Sequence, residues 1–148
     1  MSYCIDAPTL EMPGYPTVLF IDRSSDKPLK DHLAVFAKYF KKEMRFDSLQ
    51  FDESMYDNED FVGFLFLQRA MDLVVHVDHY PNRVVGGGVF ARRGVIDELD
   101  WVWLHPFSRN RRLLRKSWPT FTKRFGQFSV AEPISAHMSV FLKKHHAK

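Results

Sequence analysis

Apolar residues recur at helical spacing near the start of the chain. Leu29, Leu33, Phe36, Phe40 and Met44 are separated by 4, 3, 4 and 4 positions, which traces one face of an α-helix. Lys30, Lys38, Lys41 and Lys42 fall mostly off that face. Asp26 is a suitable N-cap, and Pro28 suits the first turn, where a missing N–H is tolerated. Upstream, residues 17–22 form a short apolar run suited to a strand. Residues 61–68 are apolar on every side and fit either a short helix or a strand. Residues 72–78 are rich in β-branched side chains and predict a strand, and residues 80–82 predict a turn. Residues 83–90 then read as its antiparallel partner, residues 91–94 as a turn, and residues 99–104 as a third strand of a meander. A second amphipathic helix is expected over residues 110–125, with Leu113, Leu114, Trp118, Phe121 and Phe125 along one face. Pro119 is expected to bend or restart it, and Gly126 to stop it. Residues 127–130 can form a strand. A last helix is expected with Ser135 as its cap, or beginning earlier at Pro133, with Met138, Phe141 and Leu142 facing inward.

Composition narrows the class. The chain has 148 residues, 45% of them hydrophobic, and 14 are Phe. One domain with a ring-rich core is the expectation. The order of elements predicts an α/β chain of the α+β kind, a mixed and mainly antiparallel sheet flanked by helices. Residues 1–16, with three prolines and a glycine, read as a loose arm. The single Cys4 excludes an internal disulfide and a cysteine-based metal site, and it fits a reducing cytoplasm. No run approaches the ~20 apolar residues of a membrane span, and the first residues lack the basic and apolar regions of a signal peptide.

Charge is unevenly placed. Residues 101–148 hold ten Lys/Arg and one acid, a formal +9, while residues 1–100 hold eleven Lys/Arg and seventeen acids, a formal −6. The acids concentrate in residues 45–60, read as a loop with at most a helical turn. The basic half reads either as a solvated helix face or as a site for phosphates.

The most chemically suggestive stretch joins the third predicted strand to the second helix. Trp101, Trp103 and Leu104 lead into His105-Pro106, then Arg109, Arg111 and Arg112, then Leu113 and Leu114. Backbone N–H groups and arginines at a helix N-terminus suit a phosphorylated ligand. This arrangement resembles the acyl-CoA-binding strand, loop and helix of the GNAT acetyltransferases, whose loop reads Arg/Gln-x-x-Gly-x-Gly/Ala. Arg109 matches; Arg112 and Leu114 stand where that family carries small residues. Within the superfamily the chain is most similar to the cohesin-acetyltransferase branch, through Trp103-Leu104, the basic loop, the Val-Val-Gly at positions 84–86, and Glu132-Pro133 ahead of Ser135. The zinc finger of that branch is absent. The similarity covers roughly residues 70–145.

The resemblance implies an N-acetyltransferase that moves an acetyl group from acetyl-CoA to an amine by direct attack, without a metal. It places the cofactor on Trp103, Leu104, His105, Arg109, Arg111, Arg112, Leu113 and Leu114. A general base is required. Glu98 and Asp100, two apart and so on one strand face, are the candidates, and both can equally be solvated strand-edge acids. No Tyr follows Tyr80 to protonate the leaving thiolate, so Ser135 is the substitute, with His137 beside it. Glu132 is the candidate for binding the substrate amine, or else a carboxylate favoured by the helix dipole. His76, His79, Asp72 and Asp78 lack a third fixed ligand, and a non-metal reading is favoured. In this frame the Gly86–88 run lets substrate or pantetheine approach, or marks a bulge. Two other readings stay open: an inactive GNAT-like domain that binds a ligand or partner, and a small basic nucleic-acid-binding protein. In the acetyltransferase reading the partners are an amine substrate and, in one version, a second copy of the chain; nucleic acid and membrane are not expected.

Overall fold

The computed structural model describes residues 9–10, 16–44, 60–69, 82–109 and 112–131. The expected strand at 72–78, the acidic stretch 45–59, Asn110 and Arg111, and the last helix with Glu132, Ser135 and His137 lie outside them. Within them the fold is α+β. Strand β1 spans Thr9–Leu10, β2 Val18–Ile21, β3 Phe61–Arg69, β4 Asn82–Arg93, β5 Ile96–Leu104 and β6 Ser129–Val130. Helix α1 spans Lys27–Met44 and α2 Leu113–Phe125. The strands build one sheet in the order β2-β3-β4-β5-β6, with β1 paired to β4 through Thr9 and Leu10. Part of the expected loose arm is therefore strand. All pairings are antiparallel except β5–β6, which is parallel. A parallel return requires a crossover, and α2 supplies it.

Residues 61–68 resolve to a strand. Phe64 and Phe66 pack against α2, while Leu65 and Leu67 pack against α1. A strand covered on both faces reads as a continuous apolar run, which is why its pattern alone did not distinguish it from a helix. It is also the antiparallel partner of β4, with Phe64 opposite Gly88 and Phe61 opposite Ala91. The meander is thus β3-β4-β5, in place of one beginning at residue 72. Its last turn is tighter than expected, with Gly94 at φ 70°, and both flanking strands are longer.

The two helices cover opposite faces. Leu33, Phe36 and Ala37 of α1 join Ile21, Leu65, Leu67, Val84, Val89, Trp101 and Trp103. Leu113, Trp118 and Phe121 of α2 join Phe64, Phe66, Val85, Phe90, Leu99 and Phe128. Phe121 is fully buried and meets the rings of Phe64 and Phe90 at centroid distances of 4.8 and 5.1 Å. Helix α2 runs without interruption through Pro119, whose ring lies exposed. The proline removes the bond that would reach the Arg115 carbonyl, a group that water can satisfy at the surface. Gly126 ends the helix at φ 67°. No helix among the described residues is long and apolar enough to cross a membrane.

Two β-bulges set the parity of the central strands. Val85 is the extra residue of β4 against β3, and Asp100 the extra residue of β5 against β4. Between them lies Gly86-Gly87-Gly88. A Cβ on Gly86 would sit 2.2 Å from the Trp103 carbonyl oxygen, and one on Gly88 2.2 Å from that of Trp101. The group that approaches these glycines is the neighbouring strand itself. The close approach seen here is that of the β5 backbone, not of a substrate or pantetheine, and the two bulges flank the run on either side.

Candidate ligand turn between the fifth strand and the second helix

The chain leaves the sheet at His105. Its N–H still donates to Val85 O at 2.7 Å, while the preceding carbonyl, Leu104 O, accepts from Arg109 Nε at 2.8 Å. Alternate residues of an antiparallel strand direct both backbone groups to one side. The Leu104 N–H therefore points away from β4, toward the β6 side. Strand β6 pairs with β5 only through Glu98 and Leu99 among the described residues, followed by Ala131 N donating to Leu99 O at 2.9 Å.

A single 3-10 turn, Pro106–Ser108, follows. The Phe107 N–H donates to His105 Nδ1 at 3.2 Å, which buries the imidazole beneath the turn and makes Nδ1 an acceptor. The Ser108 hydroxyl donates to Gln68 Oε1 at 3.1 Å, tying the turn to β3. Phe107 projects into solvent.

Arg109 is held from three sides. Besides the Leu104 carbonyl, its Nη2 donates to Glu43 Oε1 at 2.7 Å, and its guanidinium carbon lies 5.7 Å from the Trp103 ring centroid. Trp103 Nε1 donates to the same carboxylate oxygen at 3.3 Å. Arg109 thus fastens the turn to the last part of α1. Sequence reasoning did not find Glu43 or Gln68 in this role. Their partners lie 66 and 40 residues away, and nothing in local spacing marks them.

Helix α2 begins under an unusual cap. Arg112 is the N-cap, at φ 62° and ψ 16°, with no side-chain cap bond. It is the one non-glycine residue with positive φ among the described residues. The first intrahelical bond runs from Lys116 N to Arg112 O at 2.9 Å, so the amides of Leu113, Leu114 and Arg115 have no partner within the helix. Leu113 is buried and Leu114 half-buried in the α2 core cluster. Their side chains turn inward, and only their backbone can serve a ligand. The Arg112, Arg115 and Lys116 side chains are exposed at this end. Positive dipole, open amides and cations converge there, an arrangement suited to an anion.

Glu98 and Asp100 are half-buried on β5. The bulge changes the argument that placed them on one face. Leu99 packs on the α2 side and Trp101 on the α1 side, although residues two apart share a face in a regular strand. Spacing therefore does not carry a shared face across Asp100. No group of three or more His, Cys, Asp or Glu positioned for a metal occurs among the described residues.

No protein-family model matches the chain, and no curated protein matches it significantly.

Proposed function

We propose that the protein is an acyl-CoA-dependent N-acetyltransferase of GNAT type. One observation carries the reading: β5 and β6 run parallel, joined by a turn and α2, and their described pairing ends at Leu99 and Val130. Beyond that point the Leu104 N–H and the uncapped amides of Leu113, Leu114 and Arg115 lie along one stretch of chain. A thioester carbonyl would take the former, and a pyrophosphate the latter. Arg112 in the left-handed region supports the same reading, because it occupies the position where the family carries glycine. Its exposed side chain adds charge to a turn that glycine would leave neutral.

In the reaction, the acceptor amine attacks the acetyl carbonyl carbon, the tetrahedral intermediate collapses with cleavage of the C–S bond, and the thiolate leaves and is protonated. Glu98 or Asp100 removes the amine proton, directly or through water. Ser135 relays a proton from water to the leaving thiolate, and Glu132 holds the amine. Trp103 and His105 hold the strand end in place, the His105 N–H donating to Val85 O and the Trp103 ring against the Arg109 guanidinium, and Arg109 acts by holding the loop to Glu43. Arg111 and Arg112 contribute charge.

The engagement of Arg109 by Glu43 favours a second reading, a domain of the same fold that binds its ligand without turnover. Thiol release from acetyl-CoA, followed with a chromogenic thiol reagent over a panel of amines and lysine peptides, separates the two. The acetyltransferase reading predicts release that falls by about 10²-fold or more in Asp100→Asn or Glu98→Gln, the usual worth of a general base. Release unchanged in both variants contradicts the assignment of the base, and no release with any acceptor favours the second reading.

A further inference from the structure

We infer that the outer face of α2 is a docking surface for the phosphate backbone of a nucleic acid. The helix carries Arg115, Lys116, Lys123 and Arg124 beyond its cap Arg112. No acid occurs between Trp101 and Ala131, whereas α1 intersperses its lysines with Asp31 and Glu43. At 100° per residue, Arg112, Arg115, Lys116 and Lys123 fall within one stripe about 100° wide. Arg124 lies at its flank, with its guanidinium carbon 4.2 Å from the Phe20 ring centroid. The four stripe cations are exposed, and none makes an ion pair among the described residues. Three of them stand at the positive end of the helix dipole, where a cation is unfavourable.

The chemistry of the stripe selects the partner. Between the cations the exposed residues are Pro119, Thr120 and Thr122. A protein partner would need an aromatic or aliphatic anchor at the centre of the contact, and the stripe offers none. A bilayer would need an apolar helix face, but Leu113, Trp118 and Phe121 are spent on the core. Arginine, lysine and hydroxyl donors over about 16 Å of helix suit a phosphate backbone, read without base specificity. This surface adjoins the acetyl-CoA turn, sharing Arg112, Arg115 and Lys116 at the head of α2, and continues beyond it to Lys123.

The test is fluorescence anisotropy with a labelled 20-nucleotide RNA and the corresponding duplex DNA, as a function of salt. The full chain is compared with the triple substitution Arg115→Gln, Lys116→Gln, Lys123→Gln, which leaves Arg112 in place. Binding of either probe is expected, with a logarithmic salt slope that is shallower by about 2 to 3 in the variant, because each lost phosphate contact removes about 0.7–0.9. Unchanged thermal unfolding shows that the variant is folded. Equal affinity and slope in the two proteins overturns the inference. So does binding to phosphatidylserine vesicles, or to a poly-glutamate probe, without binding to either nucleic acid.

Discussion

Arg112 offers a sharp test of the geometry at the head of α2. Its φ of 62° and ψ of 16° lie in the region that L-residues avoid by roughly 1–2 kcal/mol. The exposed side chain makes no cap bond that would offset this. Two substitutions separate backbone strain from charge. Arg112→Ala removes the cation but keeps the Cβ, so the strain stays. Arg112→Gly removes both. In a right-handed or extended backbone, glycine is less stable than alanine by roughly 0.5–1 kcal/mol. Here the order should invert. Relief of about 1–2 kcal/mol of strain, less about 0.4–1 kcal/mol of added unfolded-chain freedom, leaves glycine ahead of alanine by about 1 kcal/mol. For a chain of this size that is about 2–4 °C in Tm. Urea titrations of the three proteins, followed by tryptophan fluorescence, read the difference as a shift in midpoint at constant slope. An alanine variant equal to or more stable than the glycine variant would refute the left-handed cap.

Gly88→Ala would place a Cβ 2.2 Å from the Trp101 carbonyl oxygen and 2.6 Å from the Phe64 ring; loss of about 3 kcal/mol or more by chemical denaturation is expected from overpacking against backbone, and a neutral effect contradicts the packing of β4 on β5. Pro119→Ala should raise stability by about 2 kcal/mol, the roughly 3 kcal/mol of helix penalty less about 1 kcal/mol of chain entropy; a drop in Tm would show that the ring makes contacts that outweigh the missing bond. Burial holds the His32 imidazole below its ordinary value of 6.5, against a smaller opposing pull from Asp31. The unfolded chain then binds the proton first as pH falls, so His32 lowers stability below about pH 6.5 and has no such effect above it. Thermal melts should show His32→Gln losing part of the decline below that pH, and parallel profiles for the two proteins would contradict the burial argument.

How much was legible in the sequence follows from the range of the interactions concerned. The face of α1 is local, and the spacing from Leu29 to Met44 located it. The stop at Gly126 and the strand nature of β2, β4, β5 and β6 were equally local. Strand β3 was ambiguous because both its faces are buried, which erases the alternation that marks a half-exposed strand. Its place beside β4 was missed because residues 72–78 offered a nearer β-branched run. The bulge at Asp100 left no trace in the pattern, since Leu99, Trp101 and Trp103 look like ordinary same-face positions. At the candidate site, the basic turn and the exposed cations were readable. The three-sided hold on Arg109 was not, because Glu43 meets it only through the packing of α1 on the sheet. Leu114 stands where the family carries a small residue, and the start of α2 directs its side chain against the core cluster, away from the turn.

The proposed acetyl-CoA site is the turn between β5 and α2. Isothermal titration of the full chain with acetyl-CoA addresses it most directly, with Arg112→Glu as the comparison. One-to-one binding in the micromolar range is expected, weakened at least tenfold, about 1.4 kcal/mol, by the reversed charge at the helix N-terminus. Absence of heat and of thermal stabilisation at millimolar acetyl-CoA, or equal affinity in the two proteins, would contradict it.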